Sequence, residues 1–169
     1  MSSDLTSAAS SSSNSAQDTK LSAAHASLFE AGKCIAPSSF TSLDVRRQVM
    51  SDNFVDTSLG NANEFTMECQ KLATEAAWGT IWTRPGLSLR DRSLTTISML
   101  AAMGKSNELQ GHVIGGLRNG LTKSEIQEAL LQAMVYAGMP TGLEAFRAAD
   151  AAIKRFDEQD LGQASPQRS

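Results

Sequence analysis

Glu108 and His112 stand four residues apart in "KSNELQGHVIGGLRNGLTKSEI", residues 105–126. On a helix that spacing puts a carboxylate and an imidazole one turn apart on one face. A carboxylate there holds the ring in one tautomer and raises its pKa. It predicts a protonated histidine, oriented by Glu108, available near neutral pH for general acid catalysis. The same spacing also describes a surface pair worth roughly a few tenths of a kcal/mol, and spacing alone leaves both readings open. Gly111, Gly115 and Gly116 surround the histidine, each costing a helix about 1 kcal/mol relative to alanine. They point either to a ligand close to the backbone or to tight helix–helix contact.

A second group lies in "AAWGTIWTRPG". Trp78 and Trp82, the chain's two tryptophans, are one helical turn apart, and Arg84 follows beside a Pro85-Gly86 turn expected to be of type II. An aromatic wall with a positioned guanidinium would make an anion pocket; two core indoles with a solvated arginine are the alternative. Arg90 and Arg92 fall in a helix's first turn, where the dipole disfavours cations. Arg92 is therefore expected to have a carboxylate partner, from a protein side chain or a ligand. Arg46 and Arg47 read first as a solvated face. Tyr136 reads as a half-buried core residue or as a donor into a pocket. Met99, Met103, Met134 and Met139 read as packing, and His25 receives no role.

The elements that would position these groups are all helical. Residues 1–19, "MSSDLTSAASSSSNSAQDT", are polar and of low complexity, and are expected to remain a disordered tail. A loose helix is expected from Lys20, and a short one over "VRRQVMS" capped by Asp44. Phe65, Cys69, Leu72 and Ala76 recur near 3.6 spacing, predicting a helix that ends at Gly79. Ser88 with Asp91 opens the next helix, whose buried stripe is Leu94, Ile97 and Ala101. Asn107 is the expected cap of the His112 helix, which Asn119-Gly120 ends. Thr122 with Glu125 forms a capping box for a helix reaching Gly138, with Ile126, Ala129, Leu130, Ala133, Met134 and Ala137 on its stripe. A last helix from Pro140 carries Leu143, Phe146, Ala149, Ile153 and Phe156. No run of alternating β-branched residues appears. The class is all-α, about six helices with short connections, in one domain over 20–160 followed by a tail over 161–169.

The totals narrow the function. Of 169 residues, 41% are apolar and 20% charged, with a net charge of −3. That is enough chain for a core and gives no basic face, so nucleic acid is not an expected partner. Cys34 and Cys69 form no CxxC, which argues against a disulfide framework and a paired-cysteine zinc site. No apolar run approaches the roughly 18 residues of a membrane span. The N-terminus lacks the apolar core of a secretory signal, has no arginine before Arg46 and carries Asp4 and Asp18. The cytoplasm is the expected location.

"VRRQVMSDNFVD", "AWGTIWTRPGLSLRDRSLTTISMLAAMGK", "NELQGHVIGGLRNGLTKSEIQEALLQAMVYAGMP" and "AFRAAD" together resemble the carboxymuconolactone decarboxylase family, in order from about Val45 to Ala152. The likeness is closest to its 4-carboxymuconolactone decarboxylase branch. The resemblance implies an AhpD-like all-α fold assembled into trimers or hexamers, acting without metal or organic cofactor. It implies decarboxylation of 4-carboxymuconolactone or a related small carboxylated lactone. In the thiol-peroxidase relatives a CxxC precedes this histidine. Here those positions are Lys105 and Glu108, so thiol redox chemistry is not expected. "LQGHVIGGLRN" is richer in glycine than the family pattern and suggests a roomier pocket. Together with the Ser-rich tail, it leaves room for a role in secondary metabolism.

On this reading His112 is the general acid, Glu108 orients it, Arg84 and then Arg92 anchor a substrate carboxylate, Trp82 and Trp78 wall the pocket, and Tyr136 polarises the lactone. Two alternatives stay open. One is a cofactor-free isomerase, dehydratase or cyclase with the same pocket. The other is a non-catalytic, small-molecule-binding oligomer. Apolar stripes that include Ile114, Leu117 and the methionines predict association in either case.

Overall fold

The structure, a computed structural model, describes residues 41–163 and the side chains of 41–159. The Ser-rich segment, the candidate helix from Lys20, His25, Cys34 and the chain after Gln163 lie outside the described residues. Within them there is no strand, and the all-α expectation holds. Seven α-helices and one π-helical segment follow in order: α1 Ser42–Met50, α2 Asp52–Gly60, α3 Glu64–Leu72, the π segment Ala73–Ile81, α4 Leu89–Ala102, α5 Ser106–Arg118, α6 Lys123–Ala137 and α7 Met139–Gln163. They sort into two compact units. The first holds the described residues up to Arg47 and then Asp52–Thr83; the second holds Gln48–Ser51 and the residues from Arg84 onward. No described helix is long and apolar enough to cross a membrane.

In the first unit, α1 starts earlier than the sequence suggests, because Thr41 rather than Asp44 is its cap. The Asp44 backbone N–H donates to Thr41 Oγ1 at 3.2 Å, and Asp44 Oδ2 accepts from the Thr41 N–H at 2.8 Å. That reciprocal pair satisfies donors at the helix start. Ser51, at φ 84°, ends α1 and lets α2 begin at once. α2 has no counterpart in the sequence reading, since its buried side chains are only Val55 and Leu59, one turn apart. Arg47 pins its start, reaching Asp52 at 3.1 Å and Asp56 at 2.6 Å.

α3 opens with a capping box between Asn63 and Thr66. The expected stripe does not face inward. Phe65 is 90% exposed, and Cys69, Leu72 and Ala76 are exposed as well. Met67, Thr74, Trp78 and Gly79 are buried instead. The helix does not stop at Gly79; at Ala73 it widens into the π segment and continues to Ile81. The buried face is hard to see in sequence because a threonine and a glycine sit on it. Gly79 is there for space: a Cβ added to it would lie 2.3 Å from Ser42 Oγ.

The second unit holds a core built from α4–α7, with Ile97, Leu109, Val113, Ile126, Leu130 and Ala149 almost fully buried. Ser88 caps α4 by accepting from the Asp91 N–H. Gly86 has no positive φ, so the Pro85-Gly86 turn is not of type II. α5 begins at Ser106 rather than after Asn107 and has no side-chain cap, because its N-cap is Lys105, whose ammonium has no acceptor for a backbone N–H; the Ser106 hydroxyl donates to Glu144 at 2.9 Å. Its end is as expected. Asn119 is the C-cap and sends Nδ2 to Ser93 Oγ at 2.9 Å, and Gly120 takes φ 90°. The Thr122–Glu125 capping box is present.

On α7 the alanines 145, 148, 149 and 152 form the buried face, while Leu143 is exposed. Ile114 and Leu117 pack against the core. Met99, Met103 and Met139 do not; they are exposed. On α4, Met99 lies about 200° around the helix from the buried Ile97, which places it on the opposite side.

Candidate active site

His112 sits on α5 with its ring mostly buried and its Nδ1 cut off from solvent. It is the one histidine among the described residues. Val113 next to it and Leu109 before it belong to the core, which draws this stretch of α5 inward. Glu108, one turn earlier, is exposed. The carboxylate does pull the His112 pKa upward, as its spacing predicts, but burial outweighs it and holds the imidazole down at about 4. The expectation of a histidine protonated near pH 7 is therefore corrected. A carboxylate in water is screened, while the mostly buried ring bears the desolvation cost of its own charge. In the free protein His112 is a neutral imidazole.

The glycines beside it are filled by packing. A Cβ on Gly115 would stand 2.9 Å from the Val49 carbonyl oxygen, and one on Gly116 would stand 2.9 Å from Leu121 Cδ1 and 3.0 Å from Ile97 Cδ1. At these two positions the glycines serve close chain contact.

Arg84 and Arg92 are brought together, though by the backbone. Arg92 Nη2 donates to the Arg84 carbonyl oxygen at 2.8 Å, and the Arg84 side chain is exposed. The carboxylate partner expected for Arg92 is absent among the described residues; it belongs to Arg90, which pairs with Glu125 and lies 3.7 Å from Asp91. Arg92 Nε is buried without a partner among the described residues. Tyr136 is 82% exposed, so in the described chain it is neither a half-buried core residue nor a donor into a cavity. It shares the exposed flank of α6 with Val135, off the buried line of Ile126, Leu130 and Ala133.

Trp78 and Trp82 are both buried in the first unit. Their rings stack with centroids 4.8 Å apart and planes 30° apart, an offset geometry that favours aromatic pairs. The candidates thus form three associated pairs, Glu108 with His112, Arg84 with Arg92, and Trp78 with Trp82, with Tyr136 apart on α6.

The sequence reading missed Arg46. It is 6% exposed, not part of a solvated face. Its Nη1 donates to Thr74 Oγ1 at 3.0 Å and its Nη2 to Gln70 Oε1 at 2.8 Å. Burial, and then Arg47 beside it, hold its pKa below the ordinary arginine value. The signal was available: Leu43, Arg46 and Met50 recur at i, i+3 and i+7, so the arginine occupies an apolar-stripe position. Arg47, on the other side, is the paired and partly solvated residue.

The model of the carboxymuconolactone decarboxylase family matches residues 68–151. The 4-carboxymuconolactone decarboxylase of Acinetobacter baylyi is 39% identical over 120 residues, covering 71% of this chain and 86% of that protein. The nitrosuccinic acid decarboxylase npaB of Metarhizium robertsii is 44% identical over 103 residues, covering 61% of this chain and 72% of that protein. The chain belongs to the carboxymuconolactone decarboxylase family and is a carboxy-lyase.

Proposed function

We propose that the enzyme decarboxylates 4-carboxymuconolactone or a related small carboxylated lactone, without metal or organic cofactor, and that His112 supplies the proton. The observation that carries this reading is the one imidazole among the described residues, mostly buried beside a carboxylate, in a chain similar to two decarboxylases.

Loss of CO₂ breaks a C–C bond and leaves its electron pair on the substrate. In a γ-carboxy butenolide that pair delocalises through the C=C into the lactone carbonyl as a dienolate. A proton must then reach carbon, so each turnover takes one proton from solvent. A neutral His112 fits this if the proton arrives with the substrate. An anionic substrate beside the ring favours the imidazolium and raises its pKa. The imidazolium then protonates the dienolate as general acid, worth typically about 10²–10⁴-fold. Glu108 is the positioning residue for His112. Arg84, and then Arg92, would hold the substrate carboxylate, and Tyr136 would polarise the lactone carbonyl. Of these assignments Tyr136 has the least support, since it is exposed in the single chain.

Exposed Leu131, Val135 and Tyr136 on α6, with Met139 and Leu143 on α7, support a homo-oligomer, trimer or hexamer. Association would also give Tyr136 an enclosed setting.

The test is CO₂ release measured over a panel of carboxylated lactones, with 4-carboxymuconolactone first. Release by the wild type and its loss in His112→Gln is the expected result. A changed product without CO₂ release would instead assign an isomerase, dehydratase or cyclase. Binding without any product would assign a non-catalytic role.

A further inference from the structure

Arg46 is the one buried charged side chain among the described residues, and none of them balances its charge. Both of its hydrogen bonds end on neutral oxygens, Thr74 Oγ1 and Gln70 Oε1. The Thr74 hydroxyl is itself held by donation to the Gln70 carbonyl at 2.8 Å. Arg46 Nε is buried and bonds to nothing among the described residues. The charge that acts on it is another cation, Arg47. The nearby carboxylates are committed elsewhere: Asp44 to Thr41, Asp52 and Asp56 to Arg47.

One turn earlier on α1, and so on the same face, Ser42 is 0% exposed and its hydroxyl also has no partner among the described residues. It faces the π segment, against Gly79. Two unsatisfied buried donors and an uncompensated positive charge thus share one helix face. A fold rarely holds even one such group without an acceptor, and a buried cation without a counter-charge is among the costliest arrangements it can hold. A π-helical segment packed against them is itself a rare element, frequent at functional sites.

We infer that Ser42 and Arg46 form a receptor for a carboxylate, with Thr74 and Gln70 orienting the guanidinium. One carboxylate supplies what is missing, a single negative charge and acceptor oxygens for the Nε–H and the Ser42 hydroxyl. A guanidinium fork suits this planar anion better than it suits a spherical halide. The inference stands apart from the proton chemistry assigned to His112 and needs none of it.

Acetate and succinate are the probes, compared with chloride at equal ionic strength on the full chain. Trp78, adjacent to Gly79, and Trp82 are the only indoles, so their emission reports on this site. Acetate is expected to shift that emission saturably and, at about ten times its Kd, to raise Tm by roughly 3–6 °C over chloride. Ser42→Ala should weaken binding by roughly tenfold. Arg46→Met should abolish both responses while keeping the helical circular-dichroism signal. Identical responses to acetate, succinate and chloride in the wild type would overturn the inference, and that comparison stands even if Arg46→Met fails to fold. Equal acetate responses in wild type and Arg46→Met would overturn it too.

Turnover then separates the two sources of such a carboxylate. A raised KM with near-normal kcat in Arg46→Met assigns it to the substrate. An unchanged KM, with acetate altering wild-type turnover only, assigns it to a separate organic acid. Because binding is read without catalysis, absence of CO₂ release would count against the decarboxylase substrate and leave this inference standing.

Discussion

Glu108 and His112 lie one turn apart on α5, the carboxylate in solvent and the imidazole mostly buried, and the burial sets the proton affinity of the pair. The folded pKa of about 4 lies below the ordinary 6.5, so between these values the unfolded chain binds a proton that the folded chain does not. Stability therefore rises with pH across that window and is lost as pH falls from 6.5 toward 4. The full difference is up to about 3 kcal/mol. Urea unfolding of the wild type between pH 7 and 4.5 should show this slope, and His112→Gln should flatten it. An equal slope in both proteins would assign the acid sensitivity to other groups.

The same pair makes a kinetic prediction. If the substrate brings the proton to His112, kcat/KM reports the free enzyme and should fall about tenfold per pH unit above roughly pH 4, while kcat holds to higher pH. Glu108→Gln removes the upward pull on the ring, so the kcat/KM limb should move to lower pH. His112→Gln should lower kcat by about 10²–10⁴-fold with the fold intact. Kinetics that fall only below pH 4 would make His112 a base rather than an acid.

How much of this was legible depended on whether the signal was local. Ser88, Thr122–Glu125, Gly120 and Gly138 mark helix ends through hydrogen bonds and backbone geometry that span a few residues. They read directly from sequence, as did the all-α class. Burial is not local. Phe65, Leu72 and Leu143 keep helical spacing but face outward, while small residues such as Thr74, Gly79 and Ala145 face inward. Periodicity of large apolar residues could not tell these faces apart. The Glu108–His112 spacing was correct, yet the direction of the pKa shift depended on desolvation, which a pair of letters does not carry. Arg46 was misread for the same reason: a charged residue was assigned to solvent although its neighbours at i−3 and i+4 were apolar.

Gly115 offers a packing test independent of activity. Alanine there gains about 1 kcal/mol in helix propensity, but its Cβ would meet the Val49 carbonyl oxygen at 2.9 Å and Val49 Cγ1 at 3.0 Å. Backbone cannot swing away as a flexible side-chain end can, so overpacking, typically about 1–3 kcal/mol, should win. Gly115→Ala is expected to lower the urea midpoint at unchanged slope. A stabilised variant would show that α5 shifts freely against Val49.

Val135 and Tyr136 test association. They are 73% and 82% exposed, so Val135→Asp costs the single chain little, within about 0.5 kcal/mol for a surface substitution. If α6 is buried between copies, the same change places a charge in an apolar contact, which is costly without a partner. Sedimentation at micromolar concentration should then show an oligomer for the wild type and a smaller species for Val135→Asp, with helical content unchanged. Turnover should fall with the oligomer if Tyr136 acts from an enclosed position. A wild-type monomer would remove that role for Tyr136, because the single chain leaves the phenol in water.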